Sequence, residues 1–258
     1  MDVIDLILSF QNISIIRERY TVAIDKKRIK RLIFDADDTL WENNIYYVKA
    51  AEDLVDLIHQ TGLPKVQVEL EFQKIERQAV KERGYGSVNY LYILNTLFAK
   101  HRDKLSDQTS QKRFDLICSQ FARHVEIEPK LFPQVGEILE TARRYFNLYV
   151  LTKGDIPEQK KKLENSKLLP FFDQAFVVAE KDLDTYGRIL KENDWIPGET
   201  CMIGNSPKSD INPSLQLGLY AIYIPYEHTW VLDDEPIRQD QKKLTIIESI
   251  ADLKFLFS

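Results

Sequence analysis

The sequence predicts an α/β protein: a doubly wound parallel sheet with an all-helical domain inserted into it. Three observations predict this. After Glu128-Pro129, short apolar runs alternate with helical segments, the pattern of strand–helix–strand units and right-handed crossovers. The strand-like segments are continuous apolar runs rather than alternating ones, as strands covered on both faces require. Between Val48 and about Val125 the texture is instead that of helix formers, with apolar residues at helical spacing and no convincing strand.

Taken in order, Met1 to about Lys27 is an extension rich in apolar residues, among them Val3, Ile4, Leu6, Ile7 and Phe10. Asp2 and Asp5 stand where a signal peptide carries positive charge, so the segment is read as part of the folded protein, packed on the core or on a partner. "RLIF" (Arg31–Phe34) is a strand, and it runs directly into Asp35, Asp37 and Asp38. The core is assigned to residues 28–46 and 130–258, and the helical domain to 47–129. In the second half "FNLYVLT" (Phe146–Thr152), "QAFVVAE" (Gln174–Glu180), "ETCMIGN" (Glu199–Asn205) and "LYAIYIP" (Leu219–Pro225) are strands. Helices are expected over Ile156–Ser166, Leu183–Asn193 and Asp210–Gly218. "KLTIIESIADLKFLF" adds a short strand and a closing helix.

Bulk properties exclude several function classes. The 258 residues carry a net charge of -5, which disfavours general nucleic-acid binding. The two cysteines, Cys118 and Cys201, make no disulfide framework and suit a reducing, cytoplasmic compartment. No apolar run is long enough to span a membrane. A monomer or homodimer acting on a small molecule is the expectation.

The acids after "RLIF" are the informative feature. In an open parallel sheet, ligands bind outside the carboxyl ends of the strands. Paired carboxylates there suit two jobs, holding a divalent cation and dividing nucleophile from acid/base work. An isolated D-x-D-x-T match is more often an acidic turn. Its partners shift that balance: Thr152 in "LTKGD", Lys181 in "AEKD", and Asn205, Ser206 and Asp210 in "IGNSPKSD". Taken singly these are a capping threonine, a surface charge and a turn. Together they stand at the ends of successive strands.

The set Asp35-x-Asp37-x-Thr39, Thr152, Lys181 and Gly204-Asn205-Ser206-x-x-x-Asp210 resembles the four motifs of the haloacid dehalogenase superfamily, in its form with a helical cap inserted after the first motif. The resemblance covers Ile33 to Ile224 and implies a Rossmann-like core. It implies that Asp35 is the nucleophile of a phosphatase, forming an aspartyl-phosphate, and that Asp37 is the acid/base. Mg2+ would sit at Asp35, Asp37 (through its carbonyl), Asn205 and Asp210, while Thr152 and Lys181 would bind phosphate. A carboxylate attacks a phosphate dianion only when charge is neutralised, which such a cation supplies. Asp38 is assigned a structural role, because adjacent strand-end side chains point apart.

One position departs from the pattern. The last motif usually begins Gly-Asp, and here Asn205 replaces the acid. Asn ligates through its carbonyl oxygen but brings no charge. Three consequences are open: Asp210 takes over as charged ligand, Mg2+ binds more weakly, or turnover is lost. A working variant is favoured. The cap should choose the substrate, and "ERGYGSVNY" (Glu82–Tyr90) is the candidate loop, with Tyr85 and Gly86 as specificity residues. Lys49 and Lys153 are basic residues placed near the rim, and His228 and Trp230 are read as a packed loop. A phosphomutase and a catalytically weakened binding protein are the alternative readings. A dehalogenase has no need of Asp37.

Overall fold

In the computed structural model the described residues are 27–257, apart from 127, 231, 234 and 238–240. The extension expected over residues 1–27 lies outside them except for Lys27.

β1 (Arg31–Phe34) is the centre of the molecule. Its Leu32 and Phe34 face one apolar layer and its Ile33 the other, so both sides of the strand are buried. The chain then leaves the sheet for four helices, α1 (Asn44–His59), α2 (Lys65–Arg83), α3 (Ser87–Lys100) and α4 (Gln108–Glu126). These helices form a core of their own, with Leu54, Ile58, Leu94, Leu97 and Phe121 buried at helical spacing. The chain returns antiparallel beside its exit, where Trp41 bridges Leu131.

α5 (Val135–Ala142) leads back into the sheet. Then come β2 (Asn147–Lys153), α6 (Ile156–Asn165), β3 (Gln174–Val178), α7 (Leu183–Glu192), β4 (Thr200–Gly204), α8 (Asn212–Gln216), β5 (Tyr220–Tyr223), β6 (Leu244–Ile246) and α9 (Leu253–Leu256). The six strands are all parallel, in the order β3-β2-β1-β4-β5-β6. Sequence order reverses at β1, whose Arg31 pairs with Asn147 of β2 on one side and Thr200 of β4 on the other. The crevice at such a reversal is where open α/β sheets bind ligands. Among the described residues no helix is long and apolar enough to cross a membrane.

Two differences from the sequence reading have local causes. α5 was not anticipated, because an eight-residue helix gives little periodicity to detect. The helix expected over Asp210–Gly218 instead begins as a π-type turn at Pro207–Ile211 and continues as α8. Ser206 caps the turn by accepting the Ser209 N–H at 3.0 Å.

Candidate active site

The register of the sheet decides what meets at its rim. Asp35 follows β1, Thr152 lies near the end of β2, and Asn205 follows β4. Asp35, Asp37, Thr152, Asn205 and Asp210 line one cavity of about 150 Å³, whose roof is formed by the helical insert. Lys181, three residues beyond β3, reaches in behind them. Its Nζ donates to Asp35 Oδ1 and, at 2.8 Å, to Asp210 Oδ1.

This triad is buried: Asp35 is 6% exposed, Lys181 3% and Asp210 0%. Burial pushes the Asp35 carboxyl up to about 7, with Lys181 pulling the other way. Burial would lower the Lys181 ammonium, but the Asp210 and Asp35 charges outweigh it and hold it above its ordinary value. Asp210 also accepts the Ser206 N–H through Oδ2 at 2.9 Å. It packs directly under Gly204, where an added Cβ would lie 2.8 Å from the Asp210 Cβ.

Asp37 is held from three sides. Its Oδ1 accepts the Trp41 indole N–H at 2.7 Å, its Oδ2 accepts Gln159 Nε2 at 2.8 Å, and Lys162 Nζ donates to both oxygens at 3.1–3.2 Å. Gln159 also accepts the Thr152 hydroxyl at 3.3 Å. Neither Gln159 nor Lys162 was picked out from sequence. Both are buried on one face of α6 together with Leu163, and that i, i+3, i+4 stripe is the signal that could have found them. The lysine run "KKK" masked it.

Asp38 also lines the cavity, but its carboxylate is taken up by main-chain donors. Its carboxylate accepts the N–H groups of Asn43 and Asn44 at 2.9 Å and so caps the start of α1. Burial, with the neighbouring Asp37 charge, pushes its carboxyl up to about 8 against the pull of those N–H groups.

An oxygen-only donor set suits a hard divalent cation. The Thr39 hydroxyl reaches both Asp35 Oδ2 at 3.1 Å and Asn205 Oδ1 at 3.3 Å, which brings those two oxygens onto one point. Among the described residues no three His, Cys, Asp or Glu side chains are grouped to hold a metal. The side-chain oxygens that could hold such a cation are those of Asp35, Asn205 and Asp210, the last also bonded to Lys181 and Ser206.

Tyr85 and Gly86 both reach the cavity. Gly86 has φ +112, and a Cβ there would lie 2.9 Å from the Asp155 Cβ, so the insert meets α6 by close backbone approach. The adjacent Ser87 N–H donates to Glu158 at 2.8 Å. The Tyr85 hydroxyl donates to Glu180 at 2.6 Å, and its ring packs edge-on against Trp230. Trp230 is thus a cavity wall, not only a packed loop, and its indole N–H donates to Glu76 of α2 at 3.1 Å. Burial pushes the Glu76 carboxyl up. Lys153 lines the cavity but is taken by Asp233 at 2.6 Å and Ser209 at 2.8 Å. Lys49 is elsewhere, in a separate cleft with Tyr46 and Arg123.

Comparison with known proteins bears on this arrangement. The family described as haloacid dehalogenase-like hydrolase matches residues 29–216. The chain is 23% identical over 233 residues to a glyceraldehyde 3-phosphate phosphatase of Methanothermobacter thermautotrophicus, covering 88% of this chain and 98% of that one. It is 24% identical over 209 residues to the pyrimidine 5'-nucleotidase PynA of Streptococcus pneumoniae, covering 77% and 85%. Among solved structures, a haloacid dehalogenase-like family hydrolase from Xanthomonas campestris superposes with a TM-score of 0.71 at 28% identity, covering 89% and 92%. The hydrolase YfnB of Bacillus subtilis, solved bound to magnesium, shares the fold with a TM-score of 0.55 at 20% identity, covering 89% and 99%.

Proposed function

This chain belongs to the haloacid dehalogenase-like hydrolase family, and on that premise we propose that it is a Mg2+-dependent phosphatase of small phosphorylated metabolites that works through an aspartyl-phosphate. One observation carries the reading. Asp35, Asp37, Thr152, Asn205 and Asp210 line one cavity, and Lys181 bonds to two of them from behind.

In the first half-reaction an Asp35 oxygen attacks phosphorus. The bond to the ester oxygen breaks, and Asp37 passes a proton to the departing alkoxide. In the second, water attacks the phosphorus and Asp37 takes a proton from it. The Asp35–phosphorus bond breaks, releasing inorganic phosphate and restoring the carboxylate. Thr152 and Lys181 orient the phosphoryl oxygens. Mg2+ would be held by Asp35, Asn205, the Asp37 carbonyl and Asp210, and supplies neutralisation of the phosphoryl charge. The relatives named for glyceraldehyde 3-phosphate and pyrimidine nucleotides both act on phosphate esters, which agrees with the class and leaves the individual substrate open.

The phosphomutase reading needs a second phosphate site. Lys153 is the only basic residue lining the cavity among the described residues, and it is already bonded to Asp233. The test is phosphate release from a panel of phosphorylated metabolites, with Mg2+ and with EDTA. Release that requires Mg2+ is expected; release from none of the panel would overturn the proposal.

A further inference from the structure

The end of the cavity away from Asp35 has a character of its own. It is built from Glu76 and Asn89 of the insert, with Tyr85, Tyr90 and Trp230 around them. Glu76 is 7% exposed. Its Oε1 accepts the Trp230 N–H, and its Oε2 has no hydrogen-bond partner among the described residues.

Asn89 is also 7% exposed. Its Nδ2 donates to the main-chain oxygens of Ala79 and Gly84, at 3.3 and 2.5 Å. Two carbonyl acceptors fix which end of the amide is nitrogen, because the flipped amide would set oxygen against oxygen. Asn89 Oδ1 is left as a buried acceptor without a partner, the only such side-chain oxygen of the cavity lining among the described residues. A buried acceptor left unmatched is costly, and native proteins seldom keep one without a use.

The charge balance points the same way. Eight acidic side chains line the cavity against Lys153 alone among the described residues. Lys162 and Lys181 add positive charge behind Asp37 and Asp35, at the phosphate end. Lys153 reaches this end too, its ammonium 5.2 Å from the Tyr85 ring centre and 5.9 Å from that of Trp230, but it is already bonded to Asp233 and Ser209. The volume of about 150 Å³ admits roughly ten water-sized groups. That is a phosphate with a leaving group of a few heavy atoms.

We infer that the alcohol portion of the substrate is small, carries a hydrogen-bond donor, amino or hydroxyl, that is received by Glu76 and Asn89, and bears no second anionic group. A carboxylate there would meet Glu76, and the cation near it, Lys153, is already paired with Asp233. This inference rests on the phosphatase reading and narrows it.

The test compares substrates of equal length on the full chain with Mg2+: 2-aminoethyl phosphate, 2-hydroxyethyl phosphate and phosphoglycolate, with 4-nitrophenyl phosphate as a reporter of phosphatase chemistry. At least one donor-bearing ester should exceed phosphoglycolate by tenfold or more in kcat/KM. Which one leads tells whether the donor is an ammonium or a hydroxyl. Glu76→Gln, nearly isosteric and checked by thermal melt for an intact fold, should cut that ratio at least threefold, mainly through KM. Phosphoglycolate hydrolysed as well as both donor esters would overturn the inference while the phosphatase reading stands. So would a selectivity that Glu76→Gln leaves unchanged. Release from none of the four, the aryl ester included, would remove the phosphatase reading and the inference with it.

Discussion

Replacing Lys181 by Met tests the electrostatic account of the site in one step. The lysine is 3% exposed and its ammonium lies between Asp35 and Asp210, 6% and 0% exposed. Methionine fills nearly the same space, so the packing contribution to the change is small. What is lost is the cation facing two buried carboxylates. Breaking a buried pair from one side costs about 3–5 kcal/mol, because it strands an uncompensated charge. In a chain of this size each kcal/mol moves Tm by roughly 2–4 °C, so a fall of about 6–20 °C is expected.

The pH dependence of that loss has a definite sign. Burial already holds the Asp35 carboxyl near 7, and Lys181 is the chief group pulling it down. Without the lysine the carboxyl rises further. A carboxyl raised on folding favours the fold while it is protonated, and that contribution disappears as pH climbs through its folded value. The Lys181→Met protein should therefore lose little stability at pH 5 and most at pH 8. The assay is thermal and urea unfolding of both proteins at the two pH values, in EDTA so that no added cation replaces the ammonium. A Tm within 2 °C of wild type at pH 8, or a larger deficit at pH 5 than at pH 8, would refute the reasoning.

Other expectations follow from the same geometry. Asp35→Asn should lower phosphate release at least a thousandfold while leaving Tm nearly unchanged, whereas Asp37→Asn should still accumulate phosphoenzyme from 4-nitrophenyl phosphate, as read by acid quench. Asn205→Asp adds a carboxylate beside Asp35 and should tighten Mg2+ in a metal titration of activity; weaker binding would argue that this position is not a ligand. Asp38→Ala removes the acceptor of the Asn43 and Asn44 N–H groups and should cost about 1–2 kcal/mol in urea unfolding.

The sheet was legible because its physics is local. "RLIF" and "TCMIG" are apolar on both faces, and burial of both faces is what a central parallel strand requires. The rim residues were legible for the same reason, since a residue following a strand has only one place to go. Legibility failed where a role depends on partners distant in sequence. Lys162 belongs to a charged run and becomes a site residue only because α6 packs its buried face toward Asp37. Trp230 and Glu76 are 154 positions apart and meet only when the loop after β5 folds against α2. Asp38 lines the same cavity as Asp35 and Asp37, and its capping of α1 needs a turn at φ +60 that the sequence does not announce.

α6 shows why the core and the insert cannot be treated as independent parts. Its N-terminal turn carries Glu158, which receives the Ser87 N–H of the insert and lies 3.6 Å from Lys162. Lys162 in turn bonds to Asp37, and Gln159 between them ties Asp37 to Thr152. One short helix thus touches the insert, the proposed acid/base group and the proposed phosphate ligand through side chains at adjacent turns. The approach of Gly86 to Asp155 leaves no room for a Cβ at that contact, so the insert presents its main chain, at Gly86 and the Ser87 N–H, to the Asp155 and Glu158 side chains. A main-chain contact fixes distance more tightly than a pair of long side chains, whose rotamers can absorb a shift. The placement of Tyr85 and Gly86 over the carboxylates is therefore set by α6, whose residues also hold Asp37.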